Sequence, residues 1–403
     1  MNSVLIVGGG IAGVSTAVAL RAGGFEGEIT LIDEGEFPYD RPPLSKEYLA
    51  GARDLKQIAL QPPEWYDDQH IRLINRTRVV ALHAGEGAVE LADGTFKHAD
   101  RIVLATGGTA AHPPIPGVEG SRVHTLRTAA DADRLRSVLA PGARLLIVGA
   151  GLIGAETAST ATGLGCEVVL ADPDVRPLAK VLGPELADWL HAQHAPRGIE
   201  TVLDAVDSFT TSSSGIWARF RGRSAPEHFD AVLLAVGMAP RTELAHAAGL
   251  ELERGIVVDE RHTSSHPAVS AVGDPARIRT GGVLHPPAEH WEAAQIDAAH
   301  AAAGILGIEP PAPSTPWFWT DRHGRHVEAV GRLADAERTV LRGAFSDPSF
   351  SVFGIVGDHV TAAASVDDSN AVRAARRLID RRIPVDAARL ADPGTNLRAL
   401  LRG

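Results

Sequence analysis

The run Val4-Leu5-Ile6-Val7-Gly8-Gly9-Gly10-Ile11-Ala12-Gly13 opens the chain, and its pattern returns 141 residues later as Leu145-Leu146-Ile147-Val148-Gly149-Ala150-Gly151-Leu152-Ile153-Gly154. In each copy a short apolar run predicts a strand and the glycines a tight turn. The residues that follow predict a helix, over Val14 to Arg21 and over Ala155 to Leu164. Gly23-Gly24 ends the first helix, and returning strands are expected at Glu28 to Ile32 and Glu167 to Leu170. In a Gly-x-Gly-x-x-Gly turn the first glycine permits the bend and the second lets the backbone approach a pyrophosphate. The third lets helix and strand pack closely. The helix N-terminus then offers free N–H groups and a positive dipole end to the phosphates. One such turn is a weak signal; two in strand–turn–helix context are a strong one. Their spacing marks a duplicated nucleotide-binding domain, because solenoid repeats recur every 20 to 50 residues or so.

The candidate dinucleotide contacts are therefore Gly8, Gly10, Ala12 and Gly13 in the first copy, and Gly149, Gly151, Ile153 and Gly154 in the second. An acid follows each returning strand: Asp33 with Glu34, and Asp172. A carboxylate there accepts hydrogen bonds from ribose hydroxyls and repels a 2′-phosphate. Asp172 thus favours NADH over NADPH, a preference that the nearby Arg176 softens. A further strand, Ala268 to Val272, ends in Gly273-Asp274; in a flavin fold an acid there binds ribityl hydroxyls, and read alone it is an ordinary turn.

Composition narrows the class. The 403 residues are 44% hydrophobic and 22% charged, with 39 Lys and Arg against 50 Asp and Glu, a net −11. That length suggests two or three domains, each with its own core, and neither low hydrophobicity nor extreme charge marks disorder. The acidic balance argues against nucleic-acid binding. A single cysteine, Cys166, excludes an intramolecular disulfide, a four-thiolate centre and a flavin-linked dithiol relay; it is expected to be a packing residue. The start of the chain runs directly into the first strand, and no apolar run reaches the twenty or so residues of a membrane span, so a cytoplasmic protein is expected. Proline-rich stretches at His112 to Gly117 and Glu309 to Pro313 read as crossovers. The expected fold is α/β, with two Rossmann-like dinucleotide-binding domains, one inserted in the other, and a C-terminal α+β domain. The boundaries are residues 1–112 with 240–313 for a flavin domain, 113–239 for an NADH domain and 314–403 for the last. Phe229 to Gly237 is expected to be one buried strand.

Beyond the glycine turns, Pro38-Tyr39-Asp40-Arg41-Pro42-Pro43-Leu44-Ser45-Lys46 is the most specific segment. With Leu126 to Ala132, Glu289-His290-Trp291 and Pro316-Trp317-Phe318-Trp319-Thr320-Asp321, it resembles the NADH-dependent ferredoxin reductases that feed class I cytochromes P450 and aromatic-ring dioxygenases. The resemblance spans nearly the whole chain. It implies FAD and NADH as cofactors, hydride transfer from NADH to flavin N5, and single-electron transfer to an acidic 2Fe–2S ferredoxin. It also implies that Lys46 and Glu156 form an ion pair beside N5 and that Trp319 lies against the flavin ring, with Trp291 near its pyrimidine end. Further cofactor contacts are implied for Arg41, Val79, Thr106, Gly107, Arg127, Asp274 and Gly237. Trp317 and Trp319 are expected to alternate on their strand, with only Trp319 turned inward. The sequence departs from the family pattern at Ala110-Ala111-His112, Asp321-Arg322-His323 and Val366-Asp367-Asp368-Ser369, departures that bear on the partner.

Two other readings stay open from the residues: a flavin NADH oxidase or small-molecule reductase without a protein acceptor, and a redox-signalling flavoprotein. Seventeen histidines, with local pairs His191/His194 and His323/His326, are expected at the surface and not at a metal. From residue 316 onward 13 Lys and Arg stand against 11 Asp and Glu, a net +2 that leaves −13 for the remainder. Arg322, Arg325, Arg332, Arg373, Arg376, Arg377, Arg381 and Arg382 dominate that tail, a patch suited to an acidic partner and equally to a solvated helix face. Monomer and homodimer remain open.

Overall fold

A computed structural model describes residues 1–312 and 314–402. Pro313 and Gly403, the expected last residues of the flavin and C-terminal domains, lie outside them. The chain divides into two compact units: residues 1–41, 54–109 and 238–312, and residues 42–53, 110–237 and 313–403.

The first unit is built on a five-stranded parallel sheet in the order Val269–Ala271, Arg101–Leu104, Ser3–Val7, Glu28–Ile32, Ile71–Ile74. Its central strands are apolar at nearly every position because both faces are covered. Val4 and Ile6 pack with Leu20 of helix Ile11–Ala22 and Ala301 of helix Trp291–Leu306. Leu5 and Val7 point the other way, into a core with Leu82, Val89 and Ala245. In register, Val7 pairs with both Ile32 and Leu104, so three strands end level and the loops after them gather at one sheet edge.

The second unit repeats this plan, with order Glu200–Val202, Glu167–Ala171, Arg144–Val148, Ala231–Leu234, Val123–Thr125, all parallel. It also holds an antiparallel sheet of order Trp317–Arg322, Arg325–Val330, His359–Val366, Phe350–Val356, Arg338–Arg342. One face of that sheet packs against helix Ser369–Asp380 through Val372, Ala375 and Leu378. The other receives Leu182, Leu186 and Leu190 of helix Ala179–Ala192. The fold is thus the α/β architecture read from the sequence. Among the described residues, no helix is long and apolar enough to cross a membrane.

Two local expectations are corrected. The helices after the glycine turns begin three residues early, at Ile11 and Leu152, with Gly10 and Gly151 as their N-caps. The third glycine of each motif is thus inside the helix, because the turn and the first helical turn overlap. The run from Phe229 to Gly237 is not one strand. Glu227–Phe229 joins an antiparallel sheet with Ile216–Phe220, and Ala231–Leu234 lies in the parallel sheet. Asp230 separates them, its Oδ2 accepting from the Arg144 N–H at 2.7 Å.

Asp297, in the second turn of helix Trp291–Leu306, is a buried carboxylate behind the Gly273-Asp274 turn. It accepts from the Gly273 N–H at 3.1 Å and lies 3.6 Å from His262 Nε2. Burial and the nearby Asp274 raise its pKa to about 7. His262, pushed down to about 4 by burial, is neutral at that pH and offers no counter-charge. A carboxyl whose folded pKa exceeds its unfolded value stabilises the fold fully below the unfolded value, and that stability is lost as pH rises through the folded one. Asp297→Asn should therefore flatten the pH dependence of unfolding between about 4 and 7, and at pH 8 exceed the parent in stability by on the order of 3 kcal/mol, measured by urea denaturation.

Candidate active site

The two glycine turns are alike atom for atom in what they require. A Cβ on Gly13 would overlap the Gly8 carbonyl oxygen, and one on Gly154 the Gly149 carbonyl oxygen. Gly8 and Gly149 have φ of 109° and 104°, closed to ordinary side chains, and their Cβ positions are filled by the carbonyls of Ala105 and Ala235. The middle glycines differ. Nothing lies within 4 Å of a Cβ on Gly151, and on Gly10 only the Arg41 guanidinium comes that near, at 3.9 Å. The protein's own packing does not demand glycine at these two positions. Backbone N–H groups at a helix start, and at Gly10 a guanidinium above them, suit a pyrophosphate held against the backbone. The residues therefore fit the dinucleotides.

The acids after the returning strands tie the turns down. Asp33 Oδ2 accepts from the Gly9 N–H at 2.5 Å and Oδ1 from the Gly35 N–H at 2.7 Å. Asp172 does the same in the second copy, with the Ala150 N–H at 2.7 Å and the Asp174 N–H at 2.8 Å. Glu34 instead forms an ion pair with Arg241 at 2.6 Å. Arg241 also anchors the loop after Arg101–Leu104: its N–H donates to the Gly107 carbonyl at 2.9 Å, and its own carbonyl accepts from Thr106 Oγ1 at 2.7 Å. Ala12 packs against Gly273, bringing the Asp274 turn to the first helix. Trp291 starts its helix and donates from Nε1 to Asp40 Oδ1 at 2.8 Å. These residues of the first unit come together around one sheet edge. Val79, a buried residue of strand Val79–His83, packs in the core beneath the sheet. In the second unit Ile153 is exposed in the first turn of its helix, Gly237 has a φ of 112°, and the Arg127 N–H donates to Asp131 at 3.1 Å.

The second unit also assembles a charged cluster. Helix Leu152–Gly163 places Glu156 against the segment Pro42–Ser45 and strand Trp317–Arg322. Glu156 is 6% exposed. It accepts from Ser45 Oγ at 2.5 Å and Thr320 Oγ1 at 2.8 Å, and Lys46 Nζ lies 3.7 Å away. Thr160, one turn further along the helix, donates to the Ser45 carbonyl at 2.7 Å and fixes that segment. Lys46 also pairs with Asp321 at 3.2 Å and sits 5.4 Å from the centre of the Trp319 ring. Asp321 is held in turn by His326 Nδ1 at 2.5 Å, whose Nε2 lies 3.1 Å from Glu328.

Burial pushes the Glu156 carboxyl up, against the opposing pull of Lys46 and the hydroxyl donors. Burial also works against ionisation of Asp321, but the His326 hydrogen bond and Lys46 outweigh it and the pKa falls below the ordinary value. His326 moves up: burial is overcome by its bonds to Asp321 and Glu328. Sequence reasoning named Lys46, Glu156 and Trp319 and missed Ser45, Thr320, Asp321 and His326. Three of these four lie inside or beside quoted motifs, and their adjacency was the available signal.

Two expectations fail here. Trp317 and Trp319 share a face, because residues two apart on a strand project to the same side. Their rings stack at 4.8 Å with an interplanar angle of 19°, both half-buried, and Trp317 packs against the C-terminal core. The histidines are not all at the surface: His194 is fully buried, and its Nδ1 bonds His323 Nε2 at 2.9 Å. Burial lowers His194 to about 3 and His323 to about 4, so the pair is neutral at physiological pH. No group of three or more side chains placed to hold a metal ion occurs among the described residues.

A family model described as pyridine nucleotide-disulphide oxidoreductase matches residues 2–303, and one described as reductase C-terminal matches residues 317–401. The chain belongs to the pyridine nucleotide-disulphide oxidoreductase family. It is 36% identical over 409 residues to the ferredoxin–NAD(+) reductase subunit of the benzene 1,2-dioxygenase system of Pseudomonas putida, covering 100% of this chain and 98% of that one. It is 34% identical to putidaredoxin reductase of the same species, covering 99% and 97%. Among solved structures, the ferredoxin reductase for the CYP199A2 system from Rhodopseudomonas palustris superimposes with a TM-score of 0.92 at 30% identity, over 99% of both chains. The reductase in the covalent putidaredoxin reductase–putidaredoxin complex gives 0.91 at 33% identity, over 100% of this chain and 98% of that one. The family thus includes reductases that serve P450 and dioxygenase systems, and the chain is a flavin- and NAD(P)-dependent oxidoreductase. Its lone, buried Cys166 sets it apart from the dithiol chemistry in the family's description.

The glycines separate folding from binding. Gly13→Ala and Gly154→Ala should each lower stability by about 1–3 kcal/mol in thermal unfolding, since a Cβ must displace a backbone carbonyl. Gly10→Ala and Gly151→Ala should melt within about 1 kcal/mol of the parent and yet weaken dinucleotide binding at the altered turn, measured by calorimetry.

Proposed function

We propose that the chain is an FAD-dependent NADH:ferredoxin reductase whose acceptor is a 2Fe–2S ferredoxin serving a cytochrome P450 or ring-hydroxylating oxygenase. The domain assignment proposed with it gives FAD to residues 1–112 and 240–313, NADH to 113–239 and the partner-facing role to 314–403. FAD would be held by the Gly8–Gly13 turn, Asp33, Arg41, Thr106 and Asp274, and NADH by the Gly149–Gly154 turn and Asp172. The flavin, when bound, supplies the change from two-electron hydride chemistry to single-electron transfer.

The observation that carries the reading is the Lys46 ammonium, held between two carboxylates at 3.7 and 3.2 Å in a largely buried cluster. A fixed cation of this kind favours negative charge developing on a neighbouring group, and it needs no reorganisation to do so. Glu156, held by Ser45 and Thr320, and Asp321, held by His326, set the position of that cation. No side chain is needed as a base for hydride transfer. Asp172 supports NADH, because a 2′-phosphate beside its carboxylate is repelled. The protein partner is supported by its relatives, by the missing dithiol route, and by exposed Arg373, Arg377, Arg381 and Arg382 on and just after helix Ser369–Asp380. A basic face of this kind steers an acidic protein toward it, in a manner that weakens with salt.

A panel of ferredoxins, with cytochrome c as reporter, tests the acceptor. At least one ferredoxin should raise NADH-dependent cytochrome c reduction tenfold or more, with the gain falling as salt rises. Fast oxygen consumption that no ferredoxin changes would favour an oxidase instead. Lys46→Ala should slow anaerobic flavin reduction by 10- to 1,000-fold or so while leaving FAD content unchanged; equal rates would reject the role given to Lys46.

A further inference from the structure

A cleft of about 530 Å³ opens in the second unit, between helix Leu152–Gly163, residues 46–52 and the hairpin turn at residues 321–326. Arg322 lines it and is 5% exposed. A buried guanidinium carries five donors and in proteins is almost always paired. Arg322 is not: its Nε is buried without a hydrogen-bond partner, and among the described residues it has neither a side-chain hydrogen bond nor an ion pair. The acid that acts on it electrostatically, Glu156, is already committed to Ser45, Thr320 and Lys46. Its histidine neighbours His191, His194 and His323 are pushed down by burial and supply no negative charge. The arginine itself, though lowered to about 10 by burial, stays charged at neutral pH.

We propose that Arg322 anchors a second binding site in this cleft, one that takes the carboxylate of a small organic acid with an apolar body. The guanidinium fork matches a planar carboxylate with two parallel hydrogen bonds. Ser159 adds a donor, since its Oγ accepts from the His323 N–H at 2.7 Å and leaves its own proton free. Of the other charges lining the space, Lys46 pairs with Asp321 and Arg325 with Asp367, while Glu47 adds a negative charge, so a monoanion suits the site better than a phosphate dianion. The apolar body has a floor of Ala50, Ala52 and Leu164, and Gly163 leaves open the volume a side chain would fill. The inference does not depend on the acceptor proposed above.

The test uses the FAD-loaded full chain in a chloride buffer free of carboxylates, with benzoate as the probe. Calorimetry should show one saturable benzoate site in the parent, with affinity at least tenfold lower in Arg322→Gln. Benzoate should raise the melting temperature of the parent and leave that of Arg322→Gln unchanged. Gly163→Leu, which fills the cleft without touching a charge, should also lose benzoate and guards against a misfolded arginine variant. Three results overturn the proposal: equal or absent benzoate binding in parent and variants, inorganic phosphate binding more tightly than benzoate, or complete displacement of benzoate by NAD⁺, which would make Arg322 part of the dinucleotide site.

Discussion

The carbonyl oxygens of Gly8 and Gly149 occupy the space that side chains on Gly13 and Gly154 would need, and the rest of the chemistry hangs on that contact. It holds each helix start against the end of its strand and so fixes the rotational phase of the helix. In the second copy that phase puts Glu156, Ser159, Thr160 and Gly163 on one face, at the i, i+3, i+4 and i+7 spacing of a helical stripe. That stripe meets Ser45 and Lys46 on one side and Thr320 to His323 on the other. One backbone contact therefore serves two purposes: it opens a helix N-terminus to phosphate and it positions the buried carboxylate that holds Lys46.

The charged cluster is held by its hydrogen bonds more than by the ion pairs themselves. A buried ion pair gains little over its desolvation cost unless the remaining lone pairs are satisfied. Glu156 has two hydroxyl donors as well as Lys46, and Asp321 has His326 as well as Lys46. Each carboxylate is thereby committed, which keeps the ammonium in one place beside Trp319. The Trp317–Trp319 stack continues that surface toward the C-terminal core.

The backbone plan was legible because it rests on local rules. Strands buried on both faces read as unbroken apolar runs, and glycine turns read as glycine turns, so the duplicated parallel sheets could be placed from Val4–Gly13 and Leu145–Gly154 alone. Lys46, Glu156 and Trp319 came from resemblance, since nothing in their local sequence distinguishes them from ordinary surface or packing residues. The partners Ser45, Thr320 and Asp321 were hidden because their roles arise from contacts between segments more than 100 residues apart, as in Ser45 with Glu156 and Thr320 with Glu156. His326 lies only five positions from Asp321 and was hidden because its role follows from that of Asp321. The histidines failed for the same reason: His194 and His323 are 129 positions apart and bond only in the folded chain. The tryptophan assignment failed on the two-residue period of a strand, a rule the sequence already contained.

The most direct measurement is anaerobic mixing of the purified, FAD-loaded chain with one equivalent of NADH or NADPH in a stopped-flow spectrometer. The purified protein should be yellow and carry one FAD per chain. One NADH should bleach its flavin band, and NADPH should do so at least tenfold more slowly. A chain that binds no flavin, or one that NADPH reduces as fast as NADH, would contradict it.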